Sequence, residues 1–484
     1  MLSKLSALLG LTPRELVLLT AAIVLTLPAV TPRVYASDEI QYFSYLRSLW
    51  FDGDVSFENE YRYFYDRNIG RGENFHATFL QLETDAGRRP NFGTLGAALL
   101  WAPFYAVGDV AARVMAASGA GVEADGYSQP YIRAVAYGSA VYGFLAIVLG
   151  ISALRRLSDG DAGGRNSRRS TDIVAGVLIW IGTPLLFYMY IAPPYAHAPS
   201  AFAVALFVWI WLRARGTWSP RGAVALGLSA ALMAMVREQD ALLALGPVVD
   251  FALTAARRPE RRGAVIAAAL GCAAFLIGYA PQLFAYEALN GYPGPSKLVV
   301  RKMTWSSPHA VEVLFSTAHG YLFWTPLAAV AIAGLVVLAL RGQADARRLG
   351  WCALLMVAAQ VYVSGSVESW KVAGAFGQRR FVAITVLLVI GLGIVLRVLL
   401  PSAALDARTT GRPARLVTAI VLALCLWWNL ALTALFGTGM MDRQRLELGR
   451  NAYDAFVTIP RMAPDLALRY LTRRDSFYQR GQQP

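Results

Sequence analysis

Apolar runs long enough to cross a lipid bilayer recur along this chain almost to its end, separated by short arginine-rich turns. No other feature limits the fold so sharply. In hydrocarbon every backbone N–H and C=O must find its partner inside the chain, so serial apolar runs of about 20 residues demand helices. Of the 484 residues, 56% are hydrophobic and only 16% are charged, which suits one continuous bundle better than a string of soluble domains. The expected fold class is therefore all-α, a polytopic transmembrane helical bundle.

The formal net charge of +14 is topological and is not a nucleic-acid signature. Its basic clusters sit at Arg155/Arg156, Arg213/Arg215/Arg221, Arg257/Arg258/Arg261/Arg262, Arg341/Arg347/Arg348 and Arg397/Arg408/Arg412/Arg415. The positive-inside rule assigns these turns to the cytoplasm. The segment from about 35 to 90 carries more acids than bases and falls on the outer side. Cys272, Cys352 and Cys425 lie far apart inside apolar runs, without the spacing of a disulfide framework or metal knuckle.

Charge parity then predicts about eleven spans, beginning at 15–33, 131–155 and 173–191 and ending at 380–399 and 416–436. A cleavable signal peptide ending near Val34-Tyr35-Ala36 competes with the first span, and the retained helix is the expectation because the bundle that follows needs it. Residues 94–117 cannot form a full crossing under this parity. The glycines at 93 and 96 and Pro103 predict a re-entrant or interfacial helix pair there. Arg237-Glu238-Gln239-Asp240 predicts the outer tip of a hairpin between two short spans, against the alternative of one long helix over 222–255. Residues 1–436 thus form the transmembrane domain, with 35–130 as an external loop of juxtamembrane and re-entrant helices. The tail, 437–484, is expected to lie outside as amphipathic helices on the membrane surface.

The polar residues that carry chemistry gather in the external loops. Asp38 and Glu39 follow the first span and head a predicted helix whose stripe is Ile40, Phe43, Leu46 and Trp50, with Asp38, Tyr42 and Tyr45 on the other side. A carboxylate at a membrane face can serve as a base; equally, Ser37 and the acids of this first turn can cap the helix and complement its dipole. His197 joins two spans, and Arg237 tips the hairpin. Glu368, Lys371, Gln378, Arg379 and Arg380 occupy a later external turn. Cations on the side that normally avoids them point to anion binding, since a guanidinium fork suits phosphate oxygens. Ion pairs of Arg380 with Glu368 and of Arg237 with Asp240 are the alternative. His319 and Trp324 stand at the start of a span, where a phosphate contact, a structural histidine and an aromatic belt are all open. Four widely spaced histidines give no metal-ligand set; no cofactor is predicted, and a divalent metal has no support in the residues. G-x-S-x-G, P-loop and dinucleotide fingerprints are missing, so serine hydrolysis, nucleotide hydrolysis and hydride transfer have no support in the sequence.

These features together resemble a known superfamily. The acidic pair after the first span, the re-entrant segment that follows, the alternating spans, and the pieces MVREQDALLAL (235–245), LFSTAHGYLFWTP (314–326) and SWKVAGAFGQRRF (369–381) look like bacterial GT-C membrane glycosyltransferases, over residues 15–436. The layout is similar to the protein O-mannosyltransferase and aminoarabinose transferase group. The resemblance implies a GT-C-like catalytic domain in the bacterial plasma (inner) membrane, with its active site on the periplasmic side. It implies an inverting transfer of a sugar from a polyprenyl-phosphate donor to an acceptor hydroxyl, which could belong to a cell-envelope glycan, a lipid or a protein. Asp38 is then the base, with Glu39 as alternative or partner. Arg379, Arg380, His319, Arg237 and Lys371 are the candidates for the donor phosphate, and Tyr42, His197, Trp324, Glu368 and Gln378 for the pocket. The sequence departs from the group at Ala196-His197-Ala198-Pro199, where mannosyltransferase relatives often carry a Pro-Asp pair, which leaves acceptor handling and metal dependence open. A transporter or lipid-linked sugar flippase is the competing class, because charges in a bundle also mark translocation paths.

Overall fold

The computed structural model describes residues 2–70, 74–157, 165–257, 262–372, 374–399 and 412–477. Arg258, Arg261 and Arg408 of the basic clusters lie outside the described residues. Within them the chain is helical, and one isolated bridge, Met303 to Val367, is the nearest thing to a strand. The helices are α1 (Leu2–Leu9), α2 (Pro13–Thr26), α3 (Ser37–Arg47), α4 (Glu58–Asp66), α5 (Gly96–Ala117), α6 (Gln129–Arg156), α7 (Arg165–Gly182), α8 (Leu185–Tyr190), α9 (His197–Ala214) and α10 (Pro220–Val236). After them come α11 (Leu245–Ala256), α12 (Arg262–Asn290), α13 (Lys297–Arg301), α14 (Ala310–Phe315), α15 (Tyr321–Trp324) and α16 (Pro326–Arg341). The chain closes with α17 (Ala344–Gly365), α18 (Thr385–Leu399), α19 (Arg412–Gly437), α20 (Leu448–Tyr453) and α21 (Ile459–Thr472).

Eight helices among the described residues are long and apolar enough to cross a membrane, and nine if Ser3–Leu9 and Pro13–Ala29, bent by 92°, count as one. The expected count of about eleven also includes α10 and α16, which are apolar but shorter, and α7, whose first turns are basic. Contacts fix the directions. Arg155 near the end of α6 meets Glu15 at the start of α2, and Ala214 at the end of α9 touches Gly222 at the start of α10. One end of the bundle therefore collects the arginine turns. It is tied by buried ion pairs: Arg155 with Glu15 at 2.8 Å and with Asp172 at 3.5 Å, and Arg397 with Asp172 at 2.8 Å. Arginine is suited to such sites because its fork satisfies several acceptors at once.

Residues 235–245 form the expected reversal. α10 stops at Val236, Arg237 is extended (φ −154°, ψ 116°), a 3-10 turn runs from Glu238 to Ala244, and α11 returns so that Asp250 reaches Arg215 and Arg348 at the arginine-rich end. The segment 94–117 corrects the expectation of a broken helix pair. α5 is one continuous helix that keeps Pro103 inside it on the exposed side. It runs antiparallel to α6, with Trp101 Nε1 donating to Ser139 and the Tyr142 hydroxyl donating to the Leu100 carbonyl. Gly96 abuts the Met235–Val236 backbone so closely that a Cβ would stand 2.4 Å from it, which anchors the start of α5 at the reversal.

The layer built by α3 and α4 differs from its predicted pattern too. α3 is not half exposed: Ile40, Phe43, Tyr45 and Leu46 are all buried beneath α4 and α5, where Phe43 meets the rings of Phe64 and Tyr105. Tyr45, expected on the side opposite the stripe, packs its ring at 4.8 Å against Phe57, while Trp50, expected in one stripe with Ile40, Phe43 and Leu46, is exposed where those three are buried. The tail packs at the same end as α3. Tyr470 shares a hydrogen bond with Thr31 at 2.9 Å and donates to the Ala29 carbonyl, and Arg474 reaches the carbonyls of Pro28 and Val30.

Candidate active site

The adjacent acids Asp38 and Glu39 face different surroundings. Consecutive residues on a helix point about 100° apart, so a pair at a helix start can be divided between protein and cleft. Glu39 turns inward and is fully buried. Its Oε2 accepts from the backbone N–H groups of Tyr35 (2.7 Å) and Ala36 (3.1 Å), the free donors of the helix start. Burial pushes its carboxyl up to about 8, with those two N–H groups pulling the other way. The predicted caps Ser37 and Asp38 do not take this part, because the helix begins at Ser37 and its cap position is Ala36.

Asp38 is thereby left free to face the cleft, where its Oδ2 lies 2.7 Å from Nη1 of Arg379, with both side chains partly exposed. The Arg379 guanidinium also lies 5.5 Å from the centre of the Tyr195 ring. Tyr188, Tyr195 and His197 form a compact aromatic group beside it: Tyr188 meets Tyr195 at 5.6 Å and His197 at 4.5 Å. Arg237 donates from Nη1 to Nδ1 of His197, which assigns the ring a neutral form carrying its proton on Nε2. Tyr42, half-buried on the open side of α3, completes the group. Burial raises its phenol, and the charges acting on it are Arg237, Asp38, Arg379 and Asp240. Residues more than 300 positions apart thus converge on one partly exposed cluster, the cleft of this site, contributed by α3 and by the turns before α9, α11 and α18.

Other candidates stand beside this cleft in supporting positions. Arg380 diverges from its neighbour and donates to the carbonyl and hydroxyl of Ser369 (3.2 and 3.1 Å). Gln378 is buried and donates to the Trp370 carbonyl at 3.0 Å. His319, with φ +75°, donates from Nε2 to the Ala375 carbonyl at 2.9 Å and lies flat on Trp324 at 4.9 Å. Burial lowers its pKa, consistent with a neutral ring. Trp324 is a core residue and no belt aromatic, enclosed by His319, Phe376 and Phe436. Lys371 and Glu368 are exposed, with the Lys371 ammonium 5.5 Å from the Trp370 ring centre. The alternative ion pairs are not formed: Arg380 bonds Ser369 in place of Glu368, and Asp240 accepts from Ser200 at 2.6 Å in place of Arg237. Glu238 likewise turns away and accepts from Tyr279 at 3.1 Å. Among the described residues no three His, Cys, Asp or Glu side chains gather as a metal set.

No protein-family model and no curated protein matches the chain. Among solved structures, ArnT from Cupriavidus metallidurans bound to undecaprenyl phosphate is similar, at 13% identity and a TM-score of 0.50, over 95% of this chain and 78% of ArnT. The fold is GT-C-like. At this identity the likeness extends to the fold, a bundle of alternating helices, and not to individual side chains. The pattern of apolar runs does not single out Tyr188 and Tyr195, since Tyr188 lies within an apolar span and Tyr195 in the short link before His197. The signal available was the run from 187 to 197, in which four tyrosine or histidine side chains interrupt an otherwise apolar segment.

Proposed function

We propose that the chain is a GT-C-type membrane glycosyltransferase that moves a sugar from a polyprenyl-phosphate carrier to an acceptor hydroxyl at the outer membrane face. The observation that carries this reading is the 2.7 Å pairing of Asp38 with Arg379 in a half-open cleft bordered by Arg237, His197 and Tyr42. The similarity to a protein bound to undecaprenyl phosphate supports a polyprenyl phosphate as the carrier.

In this reading Asp38 takes the proton of the acceptor hydroxyl as its oxygen attacks the anomeric carbon. The bond from that carbon to the phosphate oxygen breaks, and the polyprenyl phosphate departs with the electron pair. A single base opposite the leaving group gives inversion. Arg379 has donors to spare beyond Asp38, so its fork can hold the carboxylate and the phosphate together, and Arg237 adds a second guanidinium for the charge that grows on the leaving group. Glu39 holds the helix start that aims Asp38, and Arg380, Gln378 and His319 hold the turn that aims Arg379. They are positioning residues here. Lys371 and Glu368 lie outside this mechanism.

Purified protein in nanodiscs with a polyprenyl-phosphate sugar tests the reading. Asp38→Asn should lower turnover by about 10²–10⁴-fold while leaving donor binding near normal, because loss of a general base removes that range of rate. Arg379→Ala should weaken donor binding as well as turnover. Full turnover in a folded Asp38→Asn protein would end the proposal.

A further inference from the structure

At the end of the bundle opposite Asp38, α11 and α17 flank a groove of about 530 Å³ that the proposed transfer does not use. Its walls are apolar and open: Val249, Leu253 and Trp351 are 36%, 44% and 55% exposed. Its rim is cationic, with Arg257 just past the end of α11 and Arg347 and Arg348 near the start of α17. The charges can be followed one by one. Asp250, fully buried beside the groove, accepts at Oδ2 from Trp211 and Arg215 (both 2.9 Å) and at Oδ1 from Arg215 (3.2 Å), with Arg348 2.8 Å from Oδ1. Asp345, at the mouth, pairs with Arg348 at 3.4 Å and Arg215 at 4.0 Å. These two carboxylates are matched by Arg215 and Arg348. Arg257 and Arg347 remain exposed without an ion pair among the described residues, so the described lining of the mouth carries an excess of two positive charges.

We propose that this groove binds an anionic glycerophospholipid, with acyl chain along Val249, Leu253 and Trp351 and phosphate between Arg257 and Arg347. A free phosphate would meet the rim but leave the apolar walls uncovered. A zwitterionic lipid would match the walls but bring its own cation to an already positive mouth. An anionic lipid satisfies both, and a basic rim over a gap between spans at the arginine-rich face is where such headgroups are held. The site stands independently of the proposed transfer, since it lies at the other end of the molecule.

The test is native mass spectrometry of delipidated protein offered equal amounts of phosphatidylglycerol and phosphatidylcholine. The wild type should retain phosphatidylglycerol in preference, and Arg257→Gln/Arg347→Gln should cut that retention about tenfold without changing phosphatidylcholine. Arg156→Gln/Arg221→Gln, an equal charge change elsewhere on the same face, should keep the preference. Leu253→Glu, which places a carboxylate in the apolar wall, should also abolish it, and circular dichroism of each variant checks the helices. A wild type without preference, a preference that survives the groove variants, or an equal loss in the control pair would overturn the site.

Discussion

At the scale of single residues, the division of labour between Asp38 and Glu39 is the decisive feature. A carboxyl raised to about 8 from its ordinary 4.5 is held more comfortably protonated in the folded protein than in the unfolded chain. Its contribution to stability is therefore complete below pH 4.5 and is lost as the pH rises through 8. Glu39→Gln retains an oxygen for the Tyr35 and Ala36 N–H groups without the charge. Thermal melting in detergent between pH 5 and 8 should thus fall less steeply for Glu39→Gln than for the wild type, and parallel slopes would refute this account. Glu39→Ala leaves both N–H groups without their acceptor and should cost about 1 kcal/mol near pH 5, a difference that shrinks as the pH rises because only the wild type loses the Glu39 contribution. The sequence named both acids but could not say which one faces the cleft, because capping by a third-position glutamate and by a first-turn aspartate leave the same pattern of letters.

At the scale of elements, the cleft depends on how closely helices approach. α16 and α18 run parallel and touch through Gly334 and Gly391: a Cβ on Gly334 would stand 1.9 Å from the Gly391 carbonyl oxygen, and one on Gly391 would stand 2.0 Å from that of Ala331. Those contacts are backbone, so nothing flexible can yield. α18 continues directly from the 3-10 turn Arg379–Ile384, which means that a shift of α18 moves Arg379 relative to Asp38. Gly391→Ala should lower stability by about 1–3 kcal/mol, as over-packing does, and should weaken donor binding with it. Gly449→Ala, where nothing lies within 4 Å, is the matched control and should be silent in both melting and binding. The hairpin at 237–240 was legible because polar residues interrupt an apolar run between two basic turns. The continuity of α5 was not. Gly96 opens the helix without interrupting it, Pro103 lies on an exposed side, and packing of Trp101 and Tyr142 between α5 and α6 sustains the helix through positions that local propensity disfavours.

At the scale of the whole molecule, the bundle has two charged ends of opposite character. At the arginine-rich end the buried acids Asp172 and Asp250 are each met by two arginines, which ties α6, α7, α9, α11, α17 and α18 together. At the other end Asp38 and Arg379 pair in the open. Alternation of apolar runs and basic turns made the all-helical bundle legible, since hydrocarbon imposes a single rule on every span. The cleft was legible only as a set of loops, because its geometry depends on contacts between residues far apart in the chain. The same two-ended arrangement makes a prediction about the side of the tail, whose excess of bases argues for the cytoplasm by the charge rule alone. The bonds of Tyr470 and Arg474 to residues 28–31 tie it instead to the end that carries α3. In a chain with Cys272, Cys352 and Cys425 replaced by alanine, single cysteines at Trp50 and Tyr453, 42% and 62% exposed, should react with a membrane-impermeant maleimide in intact cells whose outer barrier is opened. A cysteine at Arg341, on the arginine-rich end, should react only after the inner membrane is permeabilised. Labelling of Trp50 and Tyr453 from opposite sides would be incompatible with this packing, because a tail hydrogen-bonded to residues 28–31 cannot cross the bilayer away from them.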